Sequence, residues 1–95
     1  MKYIKNAKKR MSLYNMALTK YGIISQRWML IEELGELLDA IAKLERKRIK
    51  IEDLMTELAD ASIMIEQISL YYGWDQFMQE RERKLIRLNE RLLKL

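Results

Sequence analysis

The stretch MLIEELGELLDAIAKL, residues 29–44, places Glu33 and Glu36 among apolar side chains. Each residue of an α-helix turns by about 100°, so Glu33 and Glu36 lie about 60° apart on one face. The same face carries five apolar residues: Met29, Leu30, Leu37, Ala40 and Leu44. A second apolar stripe covers the opposite side: Trp28, Ile31, Leu34, Leu38 and Ala42. A helix that is apolar nearly all round is predicted to be buried.

The rest of the chain also has the pattern of helices, because it contains no proline and only three glycines. Apolar residues at steps of three and four predict a first helix over about residues 3–20, which Gly22 ends. The second is predicted to start after a Ser25 cap and to reach about residue 48. The third covers about residues 51–72 and stops at Gly73, and the fourth runs from an Asp75 cap nearly to the end. Four helices with short connections predict an all-α, antiparallel four-helix bundle.

The length of 95 residues fits a single domain over residues 1–95. A chain of this size buries only about 60–65% of its unfolded surface, so its own core is marginal. We therefore expect copies of the chain to associate as a homodimer or a dimer of dimers.

Composition excludes several kinds of chemistry. The chain has neither cysteine nor histidine, so thiol nucleophiles and the usual transition-metal ligands are absent. Any metal site must then use oxygen ligands, which suit Mg²⁺, Mn²⁺ or Ca²⁺. The start, MKYIKNAKKR, lacks the apolar core of a secretory signal, and no run of about 18 apolar residues exists. These features predict a cytoplasmic protein without a membrane segment.

The third predicted helix repeats the pattern of inward acids. Glu57 and Asp60 share a face with apolar residues, and neither has a lysine or arginine three or four residues away. The same holds for Glu33 and Glu36, whereas Asp39 has Lys43 at such a step. Burial of unpaired carboxylates is unfavourable, and bound cations remove the cost. Four carboxylates from two helices thus predict a divalent-ion site; distant arginines that form buried ion pairs are the alternative.

The two acid pairs resemble a known signature. EELGE (32–36) and ELAD (57–60) are similar to the EExxE…ExxD pattern of the MazG-like all-α nucleoside triphosphate pyrophosphohydrolases. The flanking sequence is similar too: YG at 21–22, Gln26, YYGW at 71–74 and the basic ending RKLIRLNERL at 83–92. The resemblance covers roughly residues 13–92 and is closest to short phage and bacterial members.

This resemblance implies a hydrolase that converts a (deoxy)nucleoside triphosphate into a monophosphate and pyrophosphate. Glu33, Glu36, Glu57 and Asp60 would bind Mg²⁺, with Mn²⁺ as a possible substitute. Water would attack the α-phosphorus. Glu32 and Glu36 would be the catalytic acids, with Glu32 as the free carboxylate that holds the water; the alternative for Glu32 is a solvated acid.

The resemblance also implies two substrate contacts. Arg83, Lys84 and Arg87 on the last helix would bind phosphates, and the alternative is an ordinary solvated face. Trp28 and Met64 would line the base pocket, although aromatic residues of a small bundle usually pack in the core. Some relatives carry an aromatic residue at the Met64 position, so the preferred base stays open.

Three other functions are weighed against this one. A phosphoribosyl-ATP pyrophosphohydrolase shares the acid pattern, but ASIM at 61–64 stands where its aromatic-histidine pair is expected. A carboxylate di-iron bundle normally needs histidines. A basic helical module for nucleic acid or a partner helix is supported by KNAKKR (5–10) and ERKRIK (45–50), yet it does not account for the unpaired acids. We therefore expect a nucleotide substrate and no nucleic-acid partner.

Overall fold

The computed structural model describes residues 6–94, which form three helices and no strand. Helix α1 spans Ala7–Tyr21, α2 spans Ile23–Glu45 and α3 spans Ile51–Leu93. The all-α prediction is confirmed. The predicted start of the first helix near residue 3 lies outside the described residues. Within residues 6–94, the helices lack the combination of length and apolarity that a membrane span needs.

The first two helices are joined by a single glycine. Asn6 caps α1, since its Oδ1 accepts a hydrogen bond from the backbone N–H of Lys8 at 2.8 Å. Gly22 then takes a positive φ of 82° and donates its N–H to the carbonyl of Leu18. The predicted stop at Gly22 is confirmed. The predicted Ser25 cap is wrong, because Gly22 stands at the cap position and α2 already begins at Ile23.

A five-residue connection turns α2 back into α3. Helix α2 ends at Glu45, three residues before the predicted end, and Lys47 adopts a positive φ of 58° in the turn. The start of α3 at Ile51 agrees with the prediction. The carboxylate of Asp53 accepts a hydrogen bond from the backbone N–H of Lys50 at 3.0 Å, which satisfies a free donor at the helix start.

Gly73 interrupts α3 with a kink at which two helical segments meet. Its φ of 141° and ψ of 98° are non-helical, and helical structure continues on both sides. A straight helix of 43 residues would be about 65 Å long, whereas the longest dimension of the molecule is 43 Å. The predicted stop at Gly73 therefore coincides with the break between the two helical segments, and the predicted cap Asp75 lies two residues past the break, inside the second segment. We call residues 74–93 the arm.

The described core lies mainly between α2 and α3, with α1 packed against one side of that pair. Its buried apolar residues are few: Tyr14, Ala40, Ala61 and Met64. Two polar side chains, Gln26 and Gln67, are also buried and hydrogen-bonded to each other. The spacing of the apolar residues explains this packing, because one face of each helix turns toward the other.

The prediction that α2 is buried all round is wrong for a single chain. Its outer stripe is exposed, with Trp28 at 63% and Leu38 at 69% of full exposure. The reason is geometric: α3 and α1 cover only part of the surface of α2. Gly35 lies on this outer side as well, and a Cβ added there would meet nothing within 4 Å. One chain therefore leaves a large apolar surface in contact with solvent.

Candidate metal centre

Three glutamates meet where α2 and α3 pack together. Glu33, Glu36 and Glu57 each offer a carboxylate oxygen, and these oxygens all lie within 4.8 Å of one another. The three-residue step on α2 turns Glu33 and Glu36 toward α3, which runs antiparallel and presents Glu57. The predicted convergence of acids from two helices is thus present for these three, which we call the acid cluster.

The acid cluster has little support from hydrogen bonds. One oxygen of Glu33 and one of Glu57, Oε2 in each, are buried without a hydrogen-bond partner. A buried charged oxygen without a partner is costly, and a bound cation or proton is what removes that cost. Asp39, on the polar side of α2, is by contrast paired with Lys43 at 2.8 Å.

The pKa values of Glu33 and Glu57 respond to this crowding. Burial is the main cause that raises the pKa of Glu33, followed by the charges of Glu36, Asp60 and Glu57. The pKa of Glu57 is raised in the same way, by burial and then by the charges of Glu36 and Asp60. The carboxyls of Glu33 and Glu57 therefore favour the protonated form more than an isolated glutamate does. A divalent cation would reverse this preference.

Asp60 and Glu32 stand at the margin of the acid cluster. The charge of Asp60 acts on Glu33 and Glu57, so Asp60 is close, but it is exposed and lies outside the group of three converging residues. Glu32 is exposed and precedes Glu33 on the polar side of α2. Carboxylate oxygens alone make up this site, and hard oxygen donors are the ligands that Mg²⁺ prefers. The residues present therefore fit a magnesium ion.

A cleft of about 160 Å³ adjoins the acid cluster on the side of the α2–α3 connection. Its wall includes Glu36 and Glu57 together with Asp39, Lys43 and Asp53. Lys43 thus brings a positive charge to the entrance of the acid cluster, a role that the sequence reasoning missed because it paired Lys43 only with Asp39. The seven-residue step from Glu36 to Lys43 is the signal that places both on one side of the helix.

The basic residues predicted to bind phosphate lie on the arm. Arg83 donates to the Oε2 of Glu80 at 2.8 Å, and Lys84 and Arg87 are exposed on the arm. Among the salt bridges within residues 6–94, none joins Arg83, Lys84 or Arg87 to the acid cluster.

The two residues predicted to line a base pocket are not brought together in one chain. Met64 is buried between α2 and α3. Trp28 is exposed on the outer stripe of α2, on the side that faces away from α3. Trp28 and Met64 therefore do not line one pocket in a single chain, because they lie on opposite sides of α2.

The sequence analysis did not predict a polar pair, Gln26 and Gln67, that also lies between α2 and α3. Gln26 and Gln67 are 6% and 4% exposed, and the Nε2 of Gln67 donates to the Oε1 of Gln26. Gln26 lies seven residues before Glu33, and Gln67 lies seven residues after Asp60, so each glutamine shares a helix face with an acid. A step of two helical turns back from Glu33 and two turns forward from Asp60 leads to these glutamines, and this is the signal that predicts the pair.

Comparisons of the chain with protein-family models, with curated proteins and with solved structures find no match.

Proposed function

We propose that this protein is a Mg²⁺-dependent nucleoside triphosphate pyrophosphohydrolase. The observation that carries the proposal is the pair of buried carboxylate oxygens, one on Glu33 and one on Glu57, that have no partner. Together with Glu36 they are arranged as ligands for a hard cation. The resemblance of EELGE and ELAD to the MazG-like signature supports the same function. A basic interaction module gives no reason for such acids.

Each acid has a role in this reaction. Glu33, Glu36 and Glu57 hold the cation, and Asp60 adds negative charge beside them. Bound Mg²⁺ supplies charge neutralisation and a fixed position for the triphosphate, which is most of what this chemistry needs. Glu32, exposed beside the acid cluster, accepts a proton from the attacking water. The water oxygen bonds to the α-phosphorus, and the bond from that phosphorus to the bridging oxygen breaks, which releases pyrophosphate and a nucleoside monophosphate.

Lys43 is added to the phosphate contacts on the ground of its position. It lines the cleft next to Glu36 and Glu57, where a phosphate chain held by the acid cluster would extend. Arg83, Lys84 and Arg87 remain candidates only if the arm of one chain reaches the acids of another. Trp28 would likewise contact a base only in another chain, because it lies on the side of α2 that faces away from α3.

The assembly that meets this condition is a homodimer or a dimer of dimers. Exposed apolar residues line one side of both helices of the α2–α3 pair: Leu34, Ile41, Ile51, Leu58 and Ile65. Together with the other exposed residues of the outer stripe of α2, they form an apolar surface of the kind that marks protein–protein contacts. A second copy that packs its own α2–α3 pair on this side would complete a four-helix bundle. Gly35, with open space around it, allows the close approach of a neighbouring helix.

The function is tested with a panel of ribo- and deoxyribonucleoside triphosphates incubated with Mg²⁺ or Mn²⁺. We expect pyrophosphate and the monophosphate as products, without orthophosphate. If no nucleotide is cleaved with either ion, the enzyme function is wrong. Release of orthophosphate would instead indicate attack at the terminal phosphorus.

The assembly is tested by light scattering of the wild type and of Leu38→Glu. We expect the wild type to be a dimer or tetramer and the variant to lose at least one level of association, because a charge would enter an apolar contact. Glu90→Lys, a charge change on the arm, is the control and should leave the mass unchanged. A monomeric wild type would contradict the proposed assembly.

A further inference from the structure

A second cavity, of about 350 Å³, lies between α1 and α3. Its wall consists of Leu13, Tyr14 and Ile63, with Arg10 and the buried Gln67 as the polar residues. Ligand pockets of small molecules have this character, with mostly apolar walls and a few placed polar groups. The volume also falls within the range of such pockets, about 300–1,000 Å³.

The charges around this cavity favour a neutral ligand. Arg10 is the only charged residue in the wall, and its guanidinium lies 3.5 Å from the carboxylate of Glu66. Glu66 also accepts a hydrogen bond from the hydroxyl of Tyr14 at 2.6 Å. The positive charge of Arg10 is therefore matched inside the protein. A phosphate would gain little here, whereas a flat, neutral ring would contact the apolar wall.

Gln67 offers an oriented amide to this cavity. Its Nε2 donates one hydrogen bond to Gln26, which fixes the plane of the amide. The side chain keeps a second N–H donor and the Oε1 acceptor. A glutamine amide pairs with a nucleobase edge that presents a donor and an acceptor side by side, through two parallel hydrogen bonds.

A single stripe of α3 leads from the acid cluster to the cavity. Asp60, Ile63 and Gln67 follow one another at steps of three and four residues, so they line one side of the helix. The rise from Asp60 to Gln67 is about 10 Å. This is the scale of a nucleotide that lies extended between its phosphate chain and its base. The acids and Gln67 are thus placed to hold the two ends of one molecule.

We infer that the cavity between α1 and α3 binds the base of the nucleotide, and that Gln67, held by Gln26, selects the base by its hydrogen-bonding edge. The inference rests on the proposed function for the triphosphate end. It replaces the pair of Trp28 and Met64 as the base-recognition site within one chain. Gln67 contacts the substrate, and Gln26 is a positioning residue that acts through it.

The test begins with the base alone. Adenosine, guanosine, cytidine, uridine and thymidine are titrated into the wild type and Gln67→Leu without metal, with binding followed by NMR. We expect at least one nucleoside to bind the wild type, and Gln67→Leu to weaken that binding by about tenfold or more. Gln79→Leu, the same change on the exposed arm, should bind like the wild type. Absence of nucleoside binding to the wild type would overturn the inference.

Kinetics provide the second measurement. For Gln67→Leu we expect KM for the preferred nucleotide to rise about tenfold and the ranking of bases to flatten. The kcat/KM for methyl triphosphate, which has no base, should not change. An equal loss on methyl triphosphate and on nucleotides would overturn the inference, because it indicates only a structural role for Gln67.

A second variant covers the case in which Gln67→Leu does not fold. Leu13→Trp fills the same cavity from α1, where Leu13 is already partly exposed, and should abolish nucleoside binding. Met16→Trp, one turn further along α1 and outside the wall of this cavity, is its control. Nucleoside binding that survives Leu13→Trp unchanged would overturn the inference.

The two proposals fail in different ways. Nucleoside binding that depends on Gln67, without pyrophosphate release from any nucleotide, would refute the hydrolase and leave the base site standing. Pyrophosphate release with base preferences that ignore Gln67 would refute the base site and leave the hydrolase standing.

Discussion

Glutamates at the same helical spacing behave in opposite ways in two regions of the molecule. On the arm, Glu80 meets Arg83 three residues later, and that hydrogen bond and charge lower the pKa of Glu80. Between α2 and α3, Glu33 meets Glu36 three residues later, and the pKa of Glu33 is raised by burial and by the surrounding acids. The difference lies in the neighbour and in the burial. The exposed Glu80 has Arg83 as its ion-pair partner. Glu33, between α2 and α3, keeps an oxygen without a partner, which a ligand could use.

The largest effect of this contrast is expected in activity. Glu36→Gln removes the acid that joins Glu33 and Glu57, so kcat/KM should fall at least about a hundredfold, since loss of even an outer partner of a metal ligand costs 10–100-fold. Glu80→Gln is the matched control on the arm and should keep full activity. The measurement is pyrophosphate release at saturating Mg²⁺.

Full activity in Glu36→Gln would remove Glu36 from the site. The result is interpretable only if the variant is folded, which circular dichroism and thermal melting establish. Asp60→Asn is the companion variant, because Asp60 lies beside the acid cluster and outside its three converging oxygens. A smaller loss for Asp60→Asn than for Glu36→Gln would follow from that position.

The next effect is stabilisation by metal. An ion that binds only the folded state adds about 2.7 kcal/mol at 100 times its dissociation constant. We expect Mg²⁺ to raise the melting temperature of the wild type at neutral pH and to lose this effect as the pH falls, because protons occupy the raised-pKa carboxyls of Glu33 and Glu57. Glu36→Gln should show a reduced response. A wild-type melting temperature that ignores Mg²⁺ and Mn²⁺ would contradict the metal site.

Glu66 is an intermediate case, since it lies on α3 but has Arg10 and Tyr14 as partners. Burial, and then the hydrogen bond to Glu66, raise the pKa of Tyr14 from 10.0 to about 12. Tyr14→Phe should destabilise the protein by about 1 kcal/mol, because it removes a hydrogen bond to a charged group near the surface. The raised pKa favours the neutral tyrosine in the folded state, so its contribution is present below pH 10 and is lost as the pH rises toward 12. Chemical denaturation from pH 8 to 11 measures both effects, and equal pH profiles for Tyr14→Phe and the wild type would contradict them.

The smallest effects should have opposite signs in the two regions. Glu57→Gln should raise the metal-free melting temperature by a few degrees at neutral pH, since it removes a charge that the fold disfavours. Glu80→Gln should lower it slightly, because it removes the charge that pairs with Arg83.

The pH dependence of the stability of Glu57→Gln distinguishes the removal of a disfavoured charge from a change in packing. The folded-state pKa of Glu57 is raised above 4.5, so the wild type gains stability from that carboxyl only at low pH and loses the gain as the pH rises through the raised value. The advantage of Glu57→Gln should therefore grow from about pH 4.5 upward. A constant difference across pH would contradict it.

Much of this arrangement follows from the sequence. The three-residue step of Glu33 and Glu36, without a nearby cation, predicted an inward pair, and the same pattern at Glu57 predicted its partner. Gly22 predicted a helix end because a positive φ favours glycine. These features depend on local geometry, which a helical wheel describes well.

Other features depend on which surfaces meet, and the wheel does not specify that. The helical wheel predicted two apolar sides for α2 but could not show that Trp28 would be exposed to solvent in a single chain. It placed Arg83 on a basic face but could not show that its guanidinium would pair with Glu80. The partnership of Gln26 with Gln67 requires the relative position of two helices, which only the folded structure supplies.

That relative position has a consequence for insertions and deletions. In the pairs Gln26 with Gln67, Glu33 with Asp60 and Glu36 with Glu57, the two residue numbers add to the same total, so all three pairs share one alignment of the antiparallel helices. One residue inserted between 26 and 36 would rotate part of α2 by about 100° and take either the glutamine or the acids out of line. One residue inserted in the turn at 46–50 would leave every pair opposite its partner. Insertions and deletions should therefore be tolerated in the turn at 46–50, whereas in the helices on both sides of it they should disrupt the pairs.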